Sequence, residues 1–77
     1  FHGFRLVIAN ENKPGVIAEV TNAISQSNLN IERMVNSSNN SIALNLVDIT
    51  GDEKELRQVI SDIEQSKHVL NVRLIQY

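Results

Sequence analysis

Within 77 residues the spacing of apolar side chains switches between about two and about 3.6, and the order of the switches constrains the fold most. Phe4, Leu6 and Ile8 alternate as in a half-buried strand. Val16, Ile17, Val20, Ala23 and Ile24 then recur as on one side of a helix, with Pro14 at a position tolerated at a helix start. Ile31 to Asn36 predicts a second strand, and Ser37-Ser38-Asn39-Asn40-Ser41 a hairpin loop. Ile42, Leu44 and Leu46 alternate in a third strand over Ile42 to Ile49. Asp52 with Glu55 three residues on makes a capping-box pattern, and Leu56, Val59, Ile60 and Ile63 predict a second helix. Leu70, Val72 and Leu74 alternate in a last strand that runs to the end.

The order is β-α-β-β-α-β, an α+β class chain. Split βαβ connectivity gives a ferredoxin-like, four-stranded antiparallel sheet, with strands one and three central and both helices on one face. The length allows one domain, residues 1–77, with one modest core. The uncovered face is expected to carry Val7, Ala9, Ala43, Val47, Ile49 and Ile75. Strand two, at an edge, shows no proline or bulge signal to blunt it. An apolar face and an open edge together predict a homodimer through the sheet edges, or docking against a neighbouring domain.

Composition removes several function classes. The seven Lys and Arg are scattered among nine acids at a net charge of −2, so no basic patch for nucleic acid emerges. The third strand has no aromatic on which a base could stack. No apolar run is long enough to span a membrane and no leader pattern is visible, so the expected setting is cytoplasmic. Because the chain begins at Phe1 rather than Met, it reads as a piece excised from a larger enzyme. There are no cysteines, and His2 and His68 fall on different elements as surface residues without metal-ligand spacing. Ser25, Ser27, Ser37 and Ser38 read as caps and turn residues, and Asp48 has no assigned role. The domain is expected to be non-catalytic and to hold no cofactor.

The first strand-to-helix loop is different in kind. Asn10 ends the strand, Asn12 precedes the helix, and Asn30 precedes strand two. Each amide supplies a donor and an acceptor at short reach. A helix starting at Pro14-Gly15 would turn the N–H groups of Gly15, Val16 and Ile17 outward, where unpaired donors and the helix dipole welcome a carboxylate. Gly15 has no side chain to obstruct it. Such a loop suits a zwitterionic amino acid; it equally suits a turn whose asparagines bond only to backbone.

"NENKPGVIAEVTNAIS", followed by "SNLNIERM" within a βαββαβ order over residues 4–77, resembles the ACT domain, an amino-acid-sensing module. "NIERMVNSSNNSIALNLVDI" and "VLNVRLIQY" are most similar to the C-terminal regulatory domains of D-3-phosphoglycerate dehydrogenases. The resemblance implies L-serine as the ligand, feedback control by linkage, and an NAD-dependent oxidoreductase as the parent enzyme. It implies that Asn12 contacts the ligand from the first loop and that Pro14 and Gly15 form the turn, with the helix start at Val16 completing the ligand-binding set. Asn30 and Ile31 are implied to reach it from strand two of the other protomer. Asn10 stands where that group has a histidine, which keeps hydrogen bonding but removes a titratable group. The same resemblance admits the sensor of another enzyme, an L-serine dehydratase or acetolactate synthase, or a dimerisation element without ligand.

Overall fold

The computed structural model describes residues 3–76; Phe1, Tyr77 and the histidine at position 2 lie outside them. Strand β1 (Phe4–Glu11) leads into helix α1 (Val16–Ser25), and the hairpin β2 (Asn30–Ser38) and β3 (Ile42–Thr50) follows. Helix α2 (Glu53–Glu64) and strand β4 (Val69–Gln76) complete the chain. The strands stand in the order β2-β3-β1-β4 and every neighbouring pair is antiparallel, the ferredoxin-like arrangement expected from the periodicity.

The core lies between the sheet and the two helices. Phe4, Leu6 and Ile8 of β1 and Val47 and Ile49 of β3 meet Val20 and Ile24 of α1 and Leu56, Val59 and Ile63 of α2. Burying each aliphatic side chain is worth about 1.5–3 kcal/mol, so this layer dominates stability. The cross-strand register pairs Phe4 with Ile49, Leu6 with Val47, Ile8 with Asn45 and Asn10 with Ala43.

That register corrects the expected orientation of β3. The inward residues are Ala43, Asn45, Val47 and Ile49, whereas Leu44 stands half exposed on the open face with Ile42 and Leu46. Both parities of β3 are apolar, and the polar Asn45 made the inward one look like the wet one. Inward and outward sets exchange for this reason alone: Val7, Ala9 and Ile75 do stand on the open face, joined by Val35, Leu44 and Leu46.

Two strands hold an extra residue that alternation did not reveal. In β2 the register shifts between Ile31 and Arg33, so a bulge does interrupt this edge. Ile31 and Met34 both pack on the core although three apart, and Glu32 is the residue squeezed out to permit it. In β4 Asn10 pairs with Val69 while Ala9 pairs with Asn71, which expels Leu70 to the surface. Val69, not Leu70, completes the inward set with Val72 and Leu74. The capping box also differs: Asp52 is the N-cap of α2 but makes no side-chain cap bond, and Glu55 accepts from Asn28 Nδ2 at 3.3 Å.

Candidate functional site

The first loop begins inside the sheet. Asn10 continues the inward parity of Phe4, Leu6 and Ile8 and is 1% exposed. Its Oδ1 accepts from Asn45 Nδ2 at 2.6 Å, and its own Nδ2 donates to the Glu11 carbonyl at 2.9 Å. Asn10 therefore lies beneath the loop, its amide already engaged, and shapes the loop from below.

Glu11 joins the loop to the opposite edge of the sheet. Its N–H donates to the His68 carbonyl at 2.8 Å, and its carboxylate lies 2.8 Å from His68 Nδ1 and 3.4 Å from Lys13 Nζ. The hydrogen bond with His68 holds the Glu11 carboxyl below its ordinary value; partial burial opposes this and the nearby Lys13 charge adds to it. His68 is thus a half-buried strut, not the free surface residue expected.

Asn12 is exposed, and its contacts reach the hairpin. Its N–H donates to the Ser41 carbonyl at 2.9 Å and its Nδ2 to the Asn39 carbonyl at 2.7 Å. Asn39 Oδ1 in turn accepts from the N–H groups of Ser41 and Ile42, so the β2–β3 turn is a firm platform for the loop.

Helix α1 starts two residues later than the expected start at Pro14. Gly15 is its N-cap with φ 87° and ψ −15°, a left-handed conformation that glycine adopts without strain, and Pro14 precedes the cap. Val16 N–H turns back to the Lys13 carbonyl at 3.4 Å, and the first helical bond runs from Glu19 N–H to the Gly15 carbonyl at 3.0 Å. Of the expected donors only Val16 is engaged, and those left at the mouth of α1 are Gly15, Ile17 and Ala18. Val16 adds neither a donor nor a side chain to the mouth, since its N–H turns back and its side chain is buried. Nothing outside the local backbone comes within 4 Å of where a Gly15 Cβ would stand, so the space over the mouth is open.

Asn30 and Ile31 do not join this group within one chain. Asn30 pairs with Thr50 while the first loop sits beside Ser41, which puts them at opposite ends of β3. A strand of this length separates them by about 25 Å. Asn30 is exposed and donates to Glu32 Oε2, which also accepts from Thr50 Oγ1. Ile31 packs its side chain on the core.

Elsewhere, an open groove of about 460 Å³ runs between α1 and α2, lined by Gln26, Ser27, Glu55, Gln58 and Asp62 among others. Its two carboxylates disfavour a ligand carboxylate, so its size does not make it the better site. On the open sheet face Asp48, 6% exposed, accepts from Arg5 Nε at 2.7 Å and Nη2 at 3.1 Å. Those bonds hold its carboxyl below the ordinary value against the effect of burial, and Arg33 helps. Asp48, left without a role by the sequence, is a structural partner of Arg5 across β1 and β3.

Asn36, Asn45 and His68 are the loop's unforeseen supports. Asn45 was detectable in principle: it is the one polar residue on the apolar parity of β3, as Asn10 is on that of β1.

Comparison with known proteins bears on the fold and the family. Residues 6–71 match the family described as AHAS small subunit-like ACT domain. The fold superposes on the acetolactate synthase small subunit from Thermotoga maritima with a TM-score of 0.80 at 22% identity, covering 99% of this chain and 48% of that one. The ACT domain from GTP pyrophosphokinase of Chlorobium tepidum gives 0.78 at 21% identity, covering 97% and 100%. A homoserine dehydrogenase from Thiobacillus denitrificans gives 0.79 at 26% identity, with 97% of this chain covering 17% of that one. No curated protein matches the sequence. Among the described residues no helix is long and apolar enough to cross a membrane. With β2, β3, both helices and the first loop inside the matched residues, the chain belongs to the ACT-domain family, whose members are regulatory, non-catalytic modules that commonly sense amino acids.

Proposed function

We propose that the chain is the amino-acid-sensing domain of a cytoplasmic biosynthetic enzyme, with its ligand at the mouth of α1 and the site shared between two copies. The observation that carries this reading is the open mouth itself: an exposed left-handed Gly15, free helix donors, and Asn12 on a firm platform. A carboxylate would sit on the Ile17 and Ala18 N–H groups. The Asn12 amide, freed from Asn39 or shared with it, would take the ammonium or a side-chain hydroxyl.

Strand geometry accounts for the distance to Asn30. β2 is an edge strand, and two copies of it paired antiparallel reverse one relative to the other. Asn30 of one copy then lies at the Asn36–Ser38 end of the other, beside that copy's Asn12–Asn39 contact. Ligand binding would stabilise the pair and pass to the catalytic body by linkage, with a coupling of about 1–3 kcal/mol typical of such systems.

L-serine is the first candidate ligand, with a D-3-phosphoglycerate dehydrogenase using NAD as the parent, on the strength of the loop and closing-strand resemblance. The family match of residues 6–71 favours a second parent, an acetolactate synthase regulatory subunit, which keeps the site and changes the amino acid. Calorimetric titration against all twenty amino acids separates them. A response to L-serine at millimolar concentration supports the first reading, a response to another amino acid alone supports the second, and silence from all twenty leaves only a dimerisation element.

A further inference from the structure

Three asparagine side chains on the helix-covered face join head to tail across three strands. Asn36 Nδ2 donates to Asn45 Oδ1 at 2.7 Å, Asn45 Nδ2 to Asn10 Oδ1 at 2.6 Å, and Asn10 Nδ2 to the Glu11 carbonyl at 2.9 Å. Asn45 and Asn10 are fully buried, while Asn36 is exposed on the β2 edge.

The polarity of this chain is set from one end. A carbonyl only accepts, so Asn10 must turn its NH₂ group to Glu11 and its oxygen to Asn45. Asn45 must then offer its NH₂ to Asn10 and its oxygen to Asn36, and Asn36 must offer its NH₂ inward. Reversing one amide sets oxygen against oxygen in a buried sheet. The conflict clears only if every amide reverses, and it then reappears at the Glu11 carbonyl. Aligned amides in a low-dielectric interior also polarise one another, which strengthens the whole run.

Both ends matter to the site. The Glu11 carbonyl also accepts the Lys13 N–H at 2.9 Å, at the turn that leads into Pro14 and Gly15. Asn36 lies where Asn30 of a paired copy would come to rest. Given the ligand reading above, on which this rests, we propose that Asn36, Asn45 and Asn10 are positioning residues. They form a polarised relay that ties the state of the β2 edge to the shape of the first loop, and so couple pairing of two copies to affinity at the α1 mouth.

The test needs ¹⁵N-labelled protein and three changes. Asn36→Asp removes the outermost donor and sets an oxygen against Asn45. Ser37→Asp adds the same charge one residue on, where the strand turns to the other face. Asn45→Leu cuts the relay. Asn36→Asp should move the side-chain amide resonances of Asn45 and Asn10 and the backbone amides of Lys13, Gly15 and Val16. It should also weaken L-serine binding roughly 2- to 30-fold, the range of measured couplings through such networks. Ser37→Asp should leave those resonances in place, and Asn36→Asp should no longer reach them once Asn45→Leu is present. First-loop resonances unmoved by Asn36→Asp, or moved equally by Ser37→Asp or in the Asn45→Leu background, would overturn the relay. Should Asn45→Leu not fold, Asn36→Asp against Ser37→Asp decides the matter. The resonances need no ligand: shifts along the relay with no binding of any of the twenty amino acids keep the relay and overturn the ligand reading instead.

Discussion

The two halves of the fold each send a central strand into a helix, and the two turns are built for opposite ends. Between β3 and α2 the connection is Gly51 and Asp52, and it is sealed: a Cβ on Gly51 would stand 2.6 Å from Leu29 Cδ2 and 3.3 Å from its Cα. Between β1 and α1 the connection runs from Asn12 to Gly15, and a Cβ on Gly15 would meet nothing within 4 Å. Both glycines have positive φ, 143° and 87°. One is glycine because the chain packs against it, the other because the turn needs left-handed backbone with room left above it. The same topology thus yields one structural turn and one accessible helix mouth, and the amides gather at the second.

The comparison breaks most readily at the glycines. Gly51→Ala should destabilise the domain by about 3 kcal/mol, combining backbone strain with overpacking against Leu29. Gly15→Ala should cost about 1 kcal/mol, the left-handed penalty alone, because the added methyl meets nothing. Urea unfolding midpoints read both; equal losses would mean that the two turns are not built differently. A smaller effect on stability but a larger one on binding is expected for Asn12→Ala. It removes an exposed hydrogen bond worth about 0.5–1.5 kcal/mol, and it should weaken any amino acid bound at the α1 mouth about tenfold.

Acid sensitivity sharpens the contrast at lower amplitude. Glu11 in the first loop and Asp48 in the sheet both have carboxyls held below their ordinary values of 4.5 and 3.8. Their contribution is complete above those values and is lost as pH falls through the lower folded ones. Stability should therefore hold from neutral pH to about 4.5 and decline below it. Glu11→Gln should flatten the upper part of that decline by removing the grip of His68 and Lys13 on the first loop. Parallel urea midpoints for wild type and Glu11→Gln between pH 6 and pH 3.5 would show that the loop strut contributes nothing.

Much of the architecture could be read from residue spacing, because four changes of apolar period among six elements leave few topologies open. The faces were harder. In β3 the apolar residues occupy both parities, and the residue that breaks the inward set, Asn45, is satisfied by Asn10 and Asn36 from two other strands. No local pattern reports a polar group whose partners lie 35 and 9 residues away. The bulges had a signal that alternation hid: Ile31 and Met34, and Val69 and Val72, are apolar pairs three apart within strands. Of the loop residues, Asn12, Pro14 and Gly15 could be read because helix-start chemistry is local. Asn10 was legible as polar but not as buried, since burial depended on the β3 register.

The central claim is that one ligand site takes Asn12 from one copy and Asn30 from another. It is tested most directly by mixing two variants, Asn12→Ala and Asn30→Ala, each of which alone should lose most of its binding to the amino acid that wild type takes. In a mixed dimer one site has both alanines and the other has both asparagines intact. Calorimetric titration of the mixture should therefore regain a fraction of sites at wild-type affinity. A mixture that binds no better than its separate components would contradict the shared site.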